Sequence, residues 1–303
     1  MLLAIDVGNT QTVVGVYEVG VHNPTKPAHD TNNRDGSSTT QQYKDGPTTK
    51  PAHDTNNRDG SSTAGLVGNW RLSTIPDRTT DELRIMISSL LATMGIDFED
   101  VTGMAICSGV PRVLMNLRYM CQRYLDIEPL VVNSNMTPPI PILYDNPYEV
   151  GADRIANTVA AYDLYGGPTV VVDFGTGNNF DVISAQGAFL GGAITPGIAT
   201  SLAALFSRAA ALEEVELKEP RGVIGKTTTE SIQSGTLYGF ASMIDGMVER
   251  FQAELGKITV VATGGLAYLI APVSRHIEHV EPLLTLHGLR LIYHRGQHRA
   301  ASL

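Results

Sequence analysis

Two apolar runs set the pattern of this chain. Leu2-Leu3-Ala4-Ile5 leads into Asp6-Val7-Gly8-Asn9-Thr10, and Val170-Val171-Val172 leads into Asp173-Phe174-Gly175-Thr176-Gly177. Each run lacks polar alternation and then presents an Asp, a Gly after one intervening residue, and a hydroxyl. Such a run suits a strand buried on both faces, and the Gly permits a tight turn where backbone N–H groups approach an anion. Apolar positions resume past each turn, at Val13, Val14 and Val16 and again at Phe180, Val182 and Ile183. Each copy therefore predicts a hairpin with a phosphate-facing tip. A Rossmann or P-loop site would instead send a helix out of the turn. Two such hairpins predict two related halves facing each other across a cleft, although either copy alone reads equally well as a buried strand ending in a turn.

Between the hairpins the period changes repeatedly. Residues 66–72 predict the strand that continues the first hairpin. Thr79-Thr80-Asp81-Glu82 predicts a helix start with an acidic first turn, followed by Leu83, Ile87, Leu90, Leu91 and Met94 at helical spacing. Residues 101–108 then read as a strand and 111–124 as a helix, an alternation that points to an α/β core. Past the second hairpin, 187–197 predicts a strand and turn, 198–212 an Ala-rich helix, 229–255 a long amphipathic helix and 258–263 a buried strand. Gly264-Gly265 predicts another tight turn before a helix through Ile270; a Gly pair there either lets an adenine or ribose lie against backbone or serves packing. His276 and His279 fall on one helix-like face beside Glu278 and Glu281, a pattern that suits solvated surface better than a metal site.

One stretch breaks the pattern. Residues 25–39 (TKPAHDTNNRDGSST) recur letter for letter as 49–63. The segment has almost no apolar residue and cannot bury enough surface to offset its ordering entropy, so it reads as a disordered loop grown by tandem duplication. Without a hydrophobic face the two copies cannot stack as a solenoid. An insertion at a hairpin tip adds little closure entropy, and removal of residues 22–64 is expected to leave activity intact.

Composition narrows the classes. A length of 303 residues favours two domains of roughly 150. The boundaries expected are 1–165, with the insertion at about 21–65, and 166–303. Net charge is 22 − 31 = −9, which argues against a general nucleic-acid or anionic-membrane surface and leaves phosphate binding to a local site. Met1 runs straight into the first strand without a signal-type segment, and no apolar window is long enough to span a bilayer, so a cytoplasmic protein is expected. Cys107 and Cys121, the only cysteines, lack zinc spacing and read as buried thiols. Gly225-Lys226-Thr227 resembles a Walker lysine only superficially, because Pro220 stands where that motif needs Gly and no strand precedes it.

Chemistry concentrates before the second hairpin. Asn146-Pro147 marks a turn, Gly151 lies near a helix start, and Ile155, Val159 and Ala160 share an apolar helical face. Asp153 and Arg154 then occupy the first turn. Asp153 reads either as a cap, worth about 1 kcal/mol, or as a base beside an anion-binding Arg154 at a cleft.

Taken together, DVGNT at 6–10, YDNPYEVGADR at 144–154, DFGTG at 173–177, GGAITPG at 191–197, ATGG at 262–265 and LTLHGLRLIY at 284–293 resemble the type III pantothenate kinases, members of the superfamily of actin, hexokinase and acetate kinase. The resemblance covers residues 1–20 and 66–295. It implies an α/β fold of two ribonuclease-H-like domains with mixed sheets facing a central cleft, and a homodimer. It also implies transfer of the ATP γ-phosphoryl to pantothenate, with a monovalent cation, K⁺ or NH₄⁺, and Mg²⁺. Position by position, it implies that Asp6, Val7, Gly8, Asn9 and Thr10 form the phosphate loop, that Thr176 contacts ATP and that Asp173 binds the monovalent cation. Asp153 is implied as the proton acceptor, and Tyr144, Gly151, Ala152, Asp153, Arg154 and the position of Leu202 as pantothenate contacts.

Two departures stand out. Thr176-Gly177-Asn178-Asn179 replaces the Thr-Ala-Thr-Thr of many members, and Ser201-Leu202 replaces a Ser-Thr pair, removing a hydroxyl for which Thr200 or Ser201 is the available substitute. Leu202 is the best argument for one alternative, a non-catalytic regulatory or binding member of the family; a second alternative, a phosphatase or other acyl-phosphate enzyme of the same superfamily, has the GADR stretch at 151–154 against it. Asp6, Gly8, Asp153 and Asp173 argue for the kinase.

Overall fold

A computed structural model describes residues 1–19, 62–133, 139–209 and 212–301. The duplicated insertion, apart from Ser62 and Thr63, lies outside the described residues. The first half contributes β1 (Leu2–Val7), β2 (Gln11–Tyr17), β3 (Leu66–Ser73), β4 (Gly103–Ser108) and β5 (Leu130–Val131), with helices α1 (Thr80–Ala92), α2 (Pro111–Met120) and α3 (Ala152–Tyr165). The second contributes β6 (Thr169–Phe174), β7 (Gly177–Ile183), β8 (Phe189–Pro196), β9 (Thr259–Gly264) and β10 (His279–Val280). Its helices are α4 (Ile198–Arg208), α5 (Thr228–Leu255), α6 (Ala267–Ile270) and α7 (Leu284–Ala301).

The two sheets have one topology. The first runs β3-β2-β1-β4-β5 and the second β8-β7-β6-β9-β10. In each, the hairpin strands pair antiparallel, one later strand joins the central strand in parallel, and the last strand pairs in parallel beyond it. This is the ribonuclease-H-like arrangement, present twice. The all-apolar central strands are explained by helices on both faces. Leu3, Ile5 and Val7 of β1 pack outward with Leu83, Ile87 and Leu91 of α1 and Val113 and Leu117 of α2. Val170, Val172 and Phe174 of β6 pack outward against Leu237, Ala241, Ile244 and Val248 of α5.

Between the sheets lie α3 and α7. Ile155, Ala156 and Val159 of α3 join Leu286, Leu289 and Ile292 of α7 against Leu2 and Ala4 of β1. One turn further along α3, Ala160 and Ala161 meet Val171 of β6. The final helix, although it follows the second sheet in sequence, thus packs on the first. The two helices approach so closely that a Cβ at Gly288 would stand 2.0 Å from the carbonyl oxygen of Ala156, and only glycine fits that crossing.

Helix starts and stops follow local chemistry. Thr79 and Glu82 form a reciprocal capping box at α1, with the Thr79 N–H donating to Glu82 Oε2 at 2.7 Å. The helix expected over 111–124 is α-helical only to Met120; the chain widens into a π-turn over Cys121–Leu125 and stops at Asp126, in the left-handed region at φ 53°. The helix expected over 198–212 ends at Arg208. The helix-like reading of His276 and His279 is corrected: His279 belongs to β10, paired in parallel with β9, and its ring stacks on Tyr165 at 4.3 Å. His276 instead approaches Glu249 Oε1 at 3.4 Å. Ser274 is already extended, so no helix carries the two histidines.

Candidate active site

Strand alternation brings the acids together. On β1, Leu2, Ala4 and Asp6 point to the face that α3 and α7 cover, and on β6 Thr169, Val171 and Asp173 do the same. Asp6 and Asp173 are the last members of these rows, beside the first turns of the covering helices. They border a cleft of about 640 Å³, lined also by Gly8, Asn9, Thr10, Gly175 and Thr176 of the hairpin tips, by Gly151, Ala152 and Asp153 at the start of α3, and by Gly264, Gly265 and Leu266. The tips meet across it, with Thr10 Oγ1 and Thr176 Oγ1 3.3 Å apart. Val7, at the end of β1, also borders the cleft.

Asp153 stands at the N-terminus of α3, where unpaired amides and the helix dipole favour negative charge. Its Oδ1 accepts the Arg154 N–H at 2.9 Å. A Cβ on Gly151 would lie 2.5 Å from that same oxygen, so the glycine makes room for the carboxylate rather than contributing chemistry.

Two of the three carboxylates that border the cleft, Asp6 and Asp173, are raised above the usual carboxylate range. Burial, reinforced by Asp153 and Asp173, pushes Asp6 up to about 7, against the opposing hydrogen bond from Cys107 Sγ at 3.1 Å. Burial and then Asp153 push Asp173 up to about 6, against a hydrogen bond from Asn157 Nδ2 at 3.2 Å. Asn157 is itself fixed, its Oδ1 accepting from Thr285 Oγ1 at 2.8 Å, so α7 orients Asp173 through α3. The Cys107 thiol is raised well above its ordinary value, again mainly by burial, and is no nucleophile.

Arg154 is held on the side of β7 and β8 rather than at the hairpin tips. Its Nε donates to the fully buried Asp181 Oδ1 at 2.6 Å, and its guanidinium lies 5.1 Å from the centre of the Phe189 ring. Tyr144 packs on the same Phe189 at 6.0 Å. Arg154, Tyr144, Phe189 and Gly192 thus form one contact cluster. Asp181, which sequence reasoning passed over, belongs here; its signal was an Asp on the inward row of β7, after Asn179.

Leu202 does not join them. It packs into the outer core with Ile198 and Leu237 under α4, and Thr200 borders the cleft instead, its Oγ1 donating to Thr176 O at 2.7 Å. The Asn178 departure is also internal: both amide atoms of Asn178 and the hydroxyl of Thr195, opposite it in register, are buried without a partner.

Among the described residues no group of three acidic, His or Cys side chains forms a metal cage. Asp6 and Asp173 still suit a hard cation whose other ligands are phosphate oxygens, water and backbone carbonyls, because Mg²⁺ in phosphoryl-transfer sites is held by one or two carboxylates and the substrate.

Comparison with known proteins gives the family. A family model described as type III pantothenate kinase matches residues 59–250. The type III pantothenate kinase of Koribacter versatilis is 42% identical over 298 residues, covering 98% of this chain and 96% of that one. That of Frankia alni is 44% identical over 298 residues, covering 98% and 100%. Among solved structures, the activator of the 2-hydroxyisocaproyl-CoA dehydratase from Clostridium difficile, with bound ADPNP, superposes with a TM-score of 0.53 at 11% identity, covering 100% of this chain and 97% of that one, a likeness of fold alone. With a family model over most of the chain and full-length relatives above 40% identity, the chain belongs to the type III pantothenate kinase family.

Proposed function

We propose that this protein transfers the γ-phosphoryl group of ATP to the hydroxyl of pantothenate, giving 4′-phosphopantothenate, the first step towards coenzyme A. The observation that carries the reading is the convergence of Asp6, Asp153 and Asp173 beneath two hairpin tips that touch through Thr10 and Thr176.

In this reading the hairpin tips, Gly8 to Thr10 and Thr176, hold the phosphates through backbone N–H groups and hydroxyls. Asp153 orients the attacking hydroxyl of pantothenate and accepts its proton as the new oxygen–phosphorus bond forms. Arg154 and Tyr144 hold the remainder of pantothenate, Arg154 kept in place by Asp181. Phosphoryl transfer asks little covalent chemistry of the protein; positioning and charge neutralisation carry the rate. Mg²⁺ beside Asp6 and a monovalent cation, K⁺ or NH₄⁺, beside Asp173 supply positive charge to the phosphate oxygens when bound. We place the enzyme in the cytoplasm as a homodimer. Among the described residues no helix is long and apolar enough to cross a membrane.

ADP release is measured with ATP and Mg²⁺, with and without pantothenate, in potassium and in sodium buffer, and the product is identified by mass. Pantothenate-dependent release faster in potassium is expected. Release that ignores pantothenate overturns the substrate, and release indifferent to the monovalent ion removes Asp173 from a cation site.

A further inference from the structure

Arg71 is placed by register rather than by motif. In the first sheet Asp6 pairs with Val13 across β1 and β2, and Val13 pairs with Arg71 across β2 and β3. The three therefore share one row on the inner face, and all three border the cleft. With adjacent strands about 4.8 Å apart, the Arg71 backbone lies roughly 10 Å from that of Asp6. The intervening Val13 is short, so the row forms a floor with a carboxylate at one end and a guanidinium at the other.

Arg71 is the one cationic side chain bordering the cleft among the described residues, against three carboxylates. Its Nη1 donates at 2.8 Å to Gln11 Oε1, a neutral acceptor on the first residue after the phosphate loop. Its charge is the smallest of the influences that reach Asp6 and Asp173. Across the cleft, Nη1 stands 3.9 Å from where a Cβ on Gly265 would lie, so the side chain reaches from the first half to the Gly-Gly turn of the second. A cation held at one nitrogen by an amide, with its other donors free and anion-binding loop tips beside it, lacks an anion. Between it and Asp6 lie the hairpin tip and the open cleft.

We infer that Arg71 is a nucleotide-contacting residue, its guanidinium holding the polyphosphate from the wall opposite Asp6, with Gln11 positioning it. A planar fork pairs with phosphate oxygens two at a time, which the point charge of a lysine does not reproduce. The inference rests on the kinase reading above for its nucleotide.

The test compares Arg71→Met and Arg71→Lys with the parent full-length protein, titrating ADP with Mg²⁺ and, separately, adenosine. A charge-assisted contact of this kind predicts that Arg71→Met weakens ADP about 10- to 100-fold and leaves adenosine within about twofold. In turnover, KM for ATP rises while KM for pantothenate stays, and Arg71→Lys recovers part of the ADP affinity. Unchanged ADP affinity in Arg71→Met overturns the inference. Equal loss of ADP and adenosine with a lowered melting temperature also overturns it, because that is the result of a structural role. If the parent binds ADP but does not phosphorylate pantothenate, the substrate reading fails and the ADP comparison still decides Arg71.

Discussion

Thr10 and Thr176 lie 166 positions apart and their hydroxyl oxygens stand 3.3 Å from each other. Each sits at the tip of a hairpin whose first strand has an inward-facing Asp as its penultimate residue, and each hairpin opens a sheet of the same topology. The contact closes one end of the cleft and aims both tips at one volume. Two copies of one device thereby make one site, with Asp153 entering from the helix between them.

Asp153→Asn keeps the size of the side chain and one acceptor oxygen, so it is expected to fold normally and bind ATP as the parent does. Loss of a positioned base lowers turnover by about 10²- to 10⁴-fold. Steady-state kinetics alongside nucleotide titration checks this, and turnover within a few-fold of the parent would remove Asp153 from the mechanism.

The pH response of the ligand-free protein follows from Asp6, raised from 3.8 to about 7 mainly by burial. Between about pH 4 and 7 the native state keeps a proton that the unfolded chain has released, so this group's contribution to stability is lost as pH rises through that window. Asp6→Asn removes the loss. The variant is expected to melt above the parent at pH 8 and close to it at pH 5; a gap that is larger at pH 5 reverses the assigned sign.

Arg154 and Asp181 make a buried pair, with side chains 9% and 0% exposed. Asp181→Ala leaves a buried guanidinium uncompensated and is expected to cost about 3–5 kcal/mol in a urea titration. Asp181→Asn, which retains an acceptor, costs less. If both variants match the parent, the pair does not anchor Arg154.

Asn178 is fully buried with both amide atoms unpartnered opposite the equally unpartnered Thr195 hydroxyl. Thr at 178 brings one hydroxyl where the amide brings two groups, and can pair across the strands with Thr195. Asn178→Thr is expected to raise stability by about 1 kcal/mol, read from the denaturation midpoint; a fall would mean that the amide is satisfied in solution.

The end of the insertion is anchored. Ser62 Oγ donates to Glu281 Oε2, Tyr165 OH donates to Glu281 Oε1 at 2.5 Å, and the Glu18 N–H donates to Gly65 O at 2.9 Å. Deletion of residues 22–61 is expected to preserve turnover and melting temperature, whereas deletion of 22–64 lowers the melting temperature by removing the Ser62 tie. Equal melting of the two deletions would show the tie to be without effect.

The paired Asp-x-Gly hairpins, the helix headed by Asp153 and the family itself were legible in the chain, because they rest on short-range rules: side-chain period, turn chemistry and a contiguous motif at 144–154. Other features depend on which strands become neighbours and in which register, and no local pattern encodes that. Register sets Arg71 in the row of Asp6, alternation on β7 delivers Asp181 to Arg154, and the packing of α4 turns Leu202 into the core. The histidines at 276 and 279 went the same way, since pairing of β10 with β9 outweighed a helical spacing. Local sequence thus determined the strands, turns and helix starts that carry the candidate groups, while long-range packing, through the placement of α3 and α7 between the sheets, decided which of them share a cleft.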